Sequence, residues 1–423
     1  MRWTLVILLA ACAATPPRAH DAPAGDAPGP APWIPHDAER DYAIWLGGAQ
    51  VGTAHESERW SPAGVVMVRT EALRFLRGDV PVAITTAIEI TADPALAPSR
   101  VTWTERARTT RRGEAVRDAA GWTVSDGSGD ARAARLPATA IPAELAPLVV
   151  RRDGRFAGPV FLPARGFVAG AGRIEPIAPR RLIAQLVFDA GAAAEATIDL
   201  GDDAMPVRVV DGEGVIATRI TAAEAATPFA PVDLIAATAI PLAGSPGAPR
   251  RLVLEGDVAV PAVPGQAARA TADGIELELS PRLRGGLPPG PPGPDRTRDI
   301  LGLVARVHRR IAPDLAAHPA TLHTAAAATT GDCTTYALAY AALAAERAIP
   351  TRVVTGVRVD GDRLVRHRWA VSWTGGAWIA VDAAFGAVPA GGDLVGLAVH
   401  TADDVGLVAG EAALTRVRAA AWR

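Results

Sequence analysis

The segment at residues 285–295, GGLPPGPPGPD, constrains the fold of this 423-residue chain more than any other stretch. Five prolines and four glycines fill its eleven positions. Proline supplies no N–H and glycine weakens regular structure, so neither a helix nor a strand can continue through it. We therefore predict a linker at 285–296, which separates an upstream region at 37–284 from a downstream domain at 297–423.

The upstream region has a sequence pattern that is typical of short strands. The run DYAIWLGGAQVGTAHESERW places two strand-like stretches on either side of Gly47-Gly48, which is typical of a hairpin. Similar runs follow, separated by Gly, Pro and Asp, among them VVMVRTEALRF, VAITTAIEITA and SRVTWTERA. They predict an antiparallel meander or a twisted half-barrel. One short helix is expected at 138–150, and a second small set of strands at 250–283.

The downstream domain reads as helices followed by strands, so its fold class is α+β. RTRDILGLVARVHRRIA predicts an amphipathic helix, with one apolar stripe formed by Ile300, Leu303, Val304, Val307 and Ile311. A second helix is predicted at 333–348, with Asp332 as its N-cap and Ile349-Pro350 at its end. Three strands follow: TRVVTGVRV, RLVRHRWAVSW and AWIAVDAAF.

The N-terminus predicts export and a lipid anchor. Arg2 precedes the apolar run WTLVILLA, which is too short to span a bilayer, and Leu9-Ala10-Ala11-Cys12 resembles a bacterial lipobox. We expect residues 1–12 to be a lipoprotein signal segment with lipidation at Cys12, and the Pro- and Ala-rich residues 13–36 to be a tether. Ala13 favours the outer membrane, facing the periplasm. A plain secretory signal, giving a secreted or periplasmic protein, is the alternative.

Composition excludes some functions. A net charge of −2 argues against nucleic-acid binding, which needs a clustered basic face. The chain contains no Lys and no Asn, so neither residue is available for catalysis. With Cys12 lipidated, Cys333 is the single thiol and cannot form a disulfide. An unpaired cysteine in an exported protein is either buried or used.

Cys333 opens the second predicted helix, where unpaired N–H groups and the helix dipole favour a thiolate. A buried, inert cysteine is the alternative.

A histidine and an aspartate follow on two neighbouring strands. A two-residue loop at Thr374-Gly375 would put His367 directly opposite Asp382. A loop at 375–376 or a four-residue loop would make them diagonal neighbours on the same face, whereas an odd loop would separate them.

The downstream motifs, in order, resemble those of the transglutaminase-like superfamily. They are Gly331-Asp332-Cys333, the helix after it, AIPTRVVTG at 348–356, HRW at 367–369 and WIAVD at 378–382, within about 297–400. The resemblance implies a papain-like core of helices packed on an antiparallel sheet, preceded here by a β domain as in exported bacterial proteins. It also implies Cys333 as nucleophile, His367 as general base and then acid, and Asp382 as the residue that orients the histidine.

This sequence departs from the family pattern near those residues. Arg368 stands where the family usually has Ala, Ala383 stands where it has Pro, and Thr334 lies where an acidic residue often follows the cysteine. None of these changes removes a member of the triad. For the oxyanion we expect the N–H of Cys333 as donor, and Tyr336 or Trp369 as weaker oxyanion or substrate contacts.

No cofactor or metal is expected, because the spacing of His308, His318 and His323 matches no zinc pattern. The sequence predicts a membrane-tethered thiol acyl-transfer enzyme that acts on an amide or peptide carbonyl. Hydrolysis, as in a protease or amidase, is favoured over transfer to an amine, as in a transglutaminase. The predicted substrate is a protein, a peptide or a peptidoglycan peptide. The alternative is a degenerate fold that serves as a binding or scaffold module in the envelope.

Overall fold

The computed structural model describes residues 33–125, 136–187, 193–211, 214–256, 258–272, 274–315, 322–403, 407, 410, 413–414 and 416–423. Within these ranges the chain has a β-rich N-terminal part and a C-terminal part of helices and strands. The fold is therefore mixed α and β, with β dominant.

The first sheet contains fourteen strands of the described chain. In chain order they are β1 (Ala38–Leu46), β2 (Ala49–Ser61), β3 (Gly64–Arg77), β4 (Val80–Ala92), β5 (Pro98–Arg106), β6 (Thr110–Asp118), β7 (Gly121–Ser125), β8 (Ile141–Pro142), β9 (Phe156–Leu162), β10 (Val168–Ala178), β11 (Arg181–Val187), β12 (Ala193–Leu200), β13 (Pro206–Asp211) and β14 (Val215–Ile220). Their order is β7-β6-β5-β4-β3-β2-β1-β14-β13-β12-β11-β10-β9-β8. It is an antiparallel meander in which β8 alone pairs in parallel, with β9.

The first hairpin forms as the sequence predicts. Gly47 and Gly48 join β1 to β2 with φ angles of 59° and 78°. Residues with a side chain rarely adopt this left-handed conformation, and two such residues in a row match the twist of the flanking strands.

The first sheet curls until its two ends meet. Trp122 on β7 lies edge-on to Phe161 on β9, with ring centroids 5.1 Å apart, and its indole N–H donates to the Ala140 carbonyl at 3.1 Å. Both rings are buried in a core that also takes side chains from β3, β4 and β5. The sheet is therefore wrapped around its own core.

The helix predicted at 138–150 is displaced. Residues 141–142 form β8, Ala143–Leu145 form one 3-10 turn, and the α-helix α1 spans Ala146–Asp153. Pro147 lies in the first turn of α1, where its missing N–H costs nothing, which explains why the helix starts later than the apolar pattern suggests.

The second sheet contains nine strands of the described chain. They are β15 (Ile240–Ala243), β16 (Arg251–Gly256), β17 (Gln266–Thr271), β18 (Gly274–Leu279), β21 (Thr351–Asp360), β22 (Arg363–Trp373), β23 (Trp378–Val381), β24 (Leu394–His400) and β25 (Val417–Trp422). Their order is β17-β18-β16-β25-β15-β22-β21-β24, with β23 on the other side of β22. A two-stranded sheet pairs β19 (Ala312–Pro313) with β20 (Thr330–Gly331). Strands from 240–279, upstream of the predicted linker, thus belong to the same sheet as the downstream strands.

Other α-helices of the described chain are α2 (Ala222–Ala225), α3 (Leu234–Ala237), α4 (Thr297–Arg310), α5 (Leu322–Ala325) and α6 (Cys333–Glu346). The predicted apolar stripe of α4 is confirmed, because all five of its residues are buried. They pack against α6, which in turn packs on β21 and β22. Helix α6 is thereby held between α4 and the sheet.

The Pro- and Gly-rich residues 285–296, here called the proline strap, lie against the hairpin of β22 and β23. The indole N–H of Trp373 donates to the Pro291 carbonyl at 2.8 Å, and that of Trp378 donates to the Pro288 carbonyl at 2.7 Å. The N–H of Arg296 donates to the Thr374 carbonyl at 2.7 Å. The strap is thus fastened to the hairpin at three points.

In the part of the chain that the structure describes, no helix is both long and apolar enough to cross a bilayer.

Candidate active site

Helix α6 begins at Cys333, and Asp332 caps it as the sequence predicts. The Asp332 Oδ1 accepts hydrogen bonds from the N–H groups of Thr334 at 3.0 Å and Thr335 at 3.2 Å. These two N–H groups would otherwise lack partners in the first turn. The cap fixes the start of the helix, and with it the position of the thiol.

The same carboxylate is held from the far side by the first sheet. Arg77, the last residue of β3, donates through Nη2 to Asp332 Oδ2 at 2.8 Å and through Nη1 to the Leu315 carbonyl at 2.6 Å. Burial alone would raise the pKa of Asp332, but that pKa lies well below its ordinary value, and the charge and hydrogen bond of Arg77 contribute to this lowering. The cap is therefore charged.

The hairpin of β22 and β23 brings His367 and Asp382 together. Trp373 pairs with Trp378, which leaves a four-residue loop at 374–377 and makes the two residues diagonal neighbours. This is one of the registers that the sequence left open. The His367 Nε2–H donates to Asp382 Oδ2 at 2.7 Å, since a carboxylate can only accept. Both side chains are buried.

The Cys333 thiol is half-buried and lines the same cavity as the His367 imidazole. Because Nε2 is bound to Asp382, the Nδ1 atom is the one available to the sulfur. Burial disfavours the thiolate, but the hydrogen bond and charge of His367 outweigh burial and lower the pKa of Cys333. Burial also disfavours the imidazolium, yet Asp382 and Cys333 together raise the pKa of His367 to about 10. The pair therefore favours thiolate and imidazolium.

Two aromatic side chains border the imidazole. Trp369 stacks on it, with centroids 6.0 Å apart, and Phe385 lies edge-on at 5.5 Å. Trp369 is buried, whereas Phe385 is 54% exposed and carries the Arg358 guanidinium on its ring at 3.6 Å. The ring of His367 is thus fixed from one side and bordered by a solvent-facing ring on the other.

Arg368, where the family pattern has Ala, is buried beside the first turn of α6. Its Nη1 donates to Thr334 Oγ1 at 3.0 Å and its Nε to Thr355 Oγ1 at 2.9 Å. The guanidinium therefore joins the residue after the thiol to strand β21.

Tyr336 and Trp369, the two weaker candidates for an oxyanion contact, lie in different surroundings. The hydroxyl hydrogen of Tyr336 is donated to the Ile311 carbonyl, so it points away from an incoming oxyanion. The Trp369 indole N–H is buried without a hydrogen-bond partner among the described residues, and its ring packs behind His367. The N–H of Cys333 has no acceptor within the described ranges, so it is free to donate.

A cavity of about 380 Å³ opens onto the thiol. Its walls include Cys333, Thr334, His367 and Arg368 from the second sheet and α6. Its walls also include Arg77, Leu234, Ile235 and Thr238, from β3 and the α3 region. Both parts of the chain therefore shape the space in front of Cys333.

Nothing in the sequence analysis pointed to Arg77 or α3 as part of the site. No local pattern marks a strand-end arginine or a four-residue helix that lies more than ninety residues before the thiol. Phe385 could have been noticed as the aromatic residue three positions after Asp382.

Cys12 and His318 lie outside the described residues. Within those residues no group of three or more His, Cys, Asp or Glu could hold a metal ion.

Comparison with known proteins supports the downstream resemblance. Residues 298–383 match the family model of the transglutaminase-like superfamily. No curated protein matches the chain. One similar solved structure is a beta-barrel-like protein of domain of unknown function DUF1849 from Brucella abortus, at 9% identity over 44% of this chain and 96% of that chain, with a TM-score of 0.35. Another is a DUF1089 family protein from Pseudomonas aeruginosa, at 12% identity over 36% and 87%, with a TM-score of 0.27.

Proposed function

We propose that this protein is a thiol acyl-transfer enzyme that acts on an amide or peptide carbonyl through Cys333. One observation carries the proposal. The thiol at the start of α6 and the His367 imidazole line one cavity, and the Nε2–H of that imidazole donates to Asp382 at 2.7 Å. A nucleophile, a base and an orienting carboxylate in series are the arrangement that nucleophilic catalysis needs.

The proposed reaction has two halves. The Cys333 thiolate attacks the carbonyl carbon, and the C–N bond then breaks as the His367 imidazolium gives its proton to the departing amine. A thioester remains on Cys333. Water then attacks this thioester, His367 accepts its proton, and the C–S bond breaks to release the acid and the thiolate. Asp382 stays ionised and holds the tautomer and orientation of the ring.

The oxyanion formed in each half would be stabilised by the N–H of Cys333, which is free and lies at the positive end of the helix dipole. Hydrolysis is preferred to amine transfer because water is always present in the compartment that the N-terminus predicts. A transferase would have to exclude that water from the thioester.

The test uses the full chain carrying Cys12→Ser in mild detergent, because Cys333 is then its only cysteine. The rate of alkylation by iodoacetamide is measured from pH 5 to 10, with His367→Ala beside it. We expect rapid reaction well below the ordinary thiol pKa of about 8.5, and loss of this advantage in His367→Ala. p-Nitrophenyl acetate should also release a burst of nitrophenol equal to the protein present, and leave an acetylated Cys333.

Cys333→Ala is the matched control for the burst. A thiol that titrates near its ordinary pKa with or without His367, together with no burst, would refute the enzyme proposal. The binding or scaffold module would then be the better account, and the β-rich part would be the place to look for its partner.

We also propose that Cys12 carries a lipid that tethers the protein to a membrane, because the lipobox motif precedes it. Expression in a Gram-negative host with labelled palmitate should label the wild-type protein and not Cys12→Ser. Equal recovery of both in the soluble fraction would favour a plain secretory signal instead.

A further inference from the structure

The cavity beside Cys333 has an apolar side, which catalysis as described above does not use. Leu234, Ile235, Leu315, Val365 and Leu414 line it together with the thiol. Leu234 and Leu414 are buried, and the others are half-buried. The two halves of the molecule contribute to it, since α3 belongs to the chain before the second sheet and Val365 lies on the strand of His367.

Several polar side chains around the cavity are already engaged with the protein. Arg77 binds Asp332 and the Leu315 carbonyl. Arg368 binds Thr334 and Thr355. The Thr238 hydroxyl donates to the Leu234 carbonyl at 2.7 Å. Asp314 pairs with Arg108. These polar groups are therefore occupied, and the apolar surface is what the cavity offers to a ligand.

The apolar wall is held at a fixed place relative to the thiol. Asp233 caps α3 by accepting from the Ile235 N–H at 2.9 Å, and the same oxygen accepts from the Gly78 N–H at 2.8 Å. The Leu76 N–H donates to the Val232 carbonyl at 2.7 Å. Between these two anchor points lies Arg77, which binds the cap of the helix that carries Cys333. Three consecutive residues of β3 and its turn thus fasten both the wall and the nucleophile.

We propose that this apolar wall is a substrate subsite, which binds an aliphatic or aromatic group flanking the carbonyl that Cys333 attacks. The proposal rests on the acyl-transfer function above and names its substrate class. A volume of about 380 Å³ is near the lower end of the roughly 300–1,000 Å³ found for ligand pockets. It can take one apolar side chain or a short acyl segment, whose burial supplies binding energy close to the reacting atoms.

The experiment compares N-methyl and N-hexyl iodoacetamide, which carry the same reactive carbon. Second-order rate constants for Cys333 are measured in the full-length Cys12→Ser protein, and free cysteine gives the intrinsic ratio of the two reagents. We expect the hexyl reagent to gain about tenfold on Cys333 relative to free cysteine, since burial of about two CH₂ groups is enough for that factor. In Ile235→Asp this gain should fall toward one.

Two further variants make the result specific. Ile235→Ala is a milder change that should reduce the gain by a smaller factor, and it serves if the aspartate prevents folding. Leu301→Asp alters a 47% exposed leucine of α4 that does not line the cavity, so it should keep the full gain.

A ratio on Cys333 equal to that of free cysteine would overturn the subsite. So would a gain that survives both changes at Ile235. The ratio can be read for a slow thiol as well as for a fast one. If Cys333 reacts slowly but still prefers the hexyl reagent, the enzyme proposal is rejected and the apolar subsite is supported. If Cys333 reacts rapidly but shows no preference, the apolar subsite is rejected and the enzyme proposal is supported.

Discussion

Arg77 offers the sharpest test of how the first sheet supports the site. Its ion pair with Asp332 has a nitrogen–oxygen distance of 2.8 Å, and it is largely buried, since the Arg77 and Asp332 side chains are 11% and 4% exposed. Arg77→Gln removes this cation from beside the buried Asp332 carboxylate. Breaking a buried pair from one side costs about 3–5 kcal/mol, and we expect about 3 kcal/mol because Asp332 keeps two backbone hydrogen bonds.

The same change should reach the thiol. Asp332 already raises the pKa of its neighbour Cys333, and Arg77 offsets that charge. Charges within about 4–6 Å shift a pKa by about 1–3 units, and Arg77 acts on Cys333 through Asp332 rather than by contact. We therefore expect the pKa of Cys333 to rise by about one unit. Below its pKa the thiol would then react with iodoacetamide about tenfold more slowly, whereas above pH 10 the rates would converge.

The assay is the pH profile of alkylation, with urea unfolding followed in parallel. Arg74→Gln is the matched control, because Arg74 is exposed on the same strand and does not line the cavity beside Cys333. Arg77→Lys keeps the charge, so it should restore most of the thiol pKa. If Arg77→Gln loses stability but its pH profile superimposes on that of the wild type, the pair is only structural, and the reasoning about the thiol is wrong.

Three other changes test separate contacts. The hydrogen bond to Asp382 is the largest of the interactions that raise the pKa of His367 to about 10. Asp382→Asn removes it, so the pH at which ester hydrolysis declines on the alkaline side should fall by at least one pH unit. Glu144 is buried with no hydrogen-bond partner among the described residues, and burial raises its pKa from 4.5 to about 7. The stability that the protein has with Glu144 protonated is fully present below pH 4.5 and is lost as the pH rises through 7. Glu144→Gln should therefore stabilise the protein at pH 8 by up to about 3 kcal/mol and have little effect at pH 4.5, as measured by urea unfolding. Arg368→Ala leaves the hydroxyls of Thr334 and Thr355 without their donor, so it should cost about 1–3 kcal/mol, and an unaltered urea midpoint would show that the guanidinium contributes nothing.

The local parts of the site could be predicted from the sequence. Asp332 is an N-cap by its residue type and position, and the helix after it follows from composition. The alternation of a strand puts His367 and Asp382 on one face for any even loop. The sequence could not choose among the even loops, because Thr374-Gly375-Gly376 permits turns of two or four residues.

The long-range parts could not be predicted in this way. Arg77 and Asp332 are 255 positions apart, and no periodicity links a strand end to a helix cap at that distance. The strands at 240–279 look like the strands before them, yet they pair with β25 and β22, because β-pairing depends on partners anywhere in the chain. Composition correctly excluded a helix or strand at the proline strap but could not show that it is fastened to two tryptophans.

The proline strap has a consequence for how the molecule meets other molecules. Among the described strands, β23 pairs with β22 alone, so one of its edges is not in a ladder. Such an edge is a template on which a second chain can add a strand and begin to aggregate. The strap lies beside this hairpin, and its five prolines have no N–H with which to extend the ladder. The carbonyls of Pro291 and Pro288 accept from the indoles of Trp373 and Trp378. The strap, which lies between β18 and α4, thus also protects the hairpin of His367 and Asp382 from self-association.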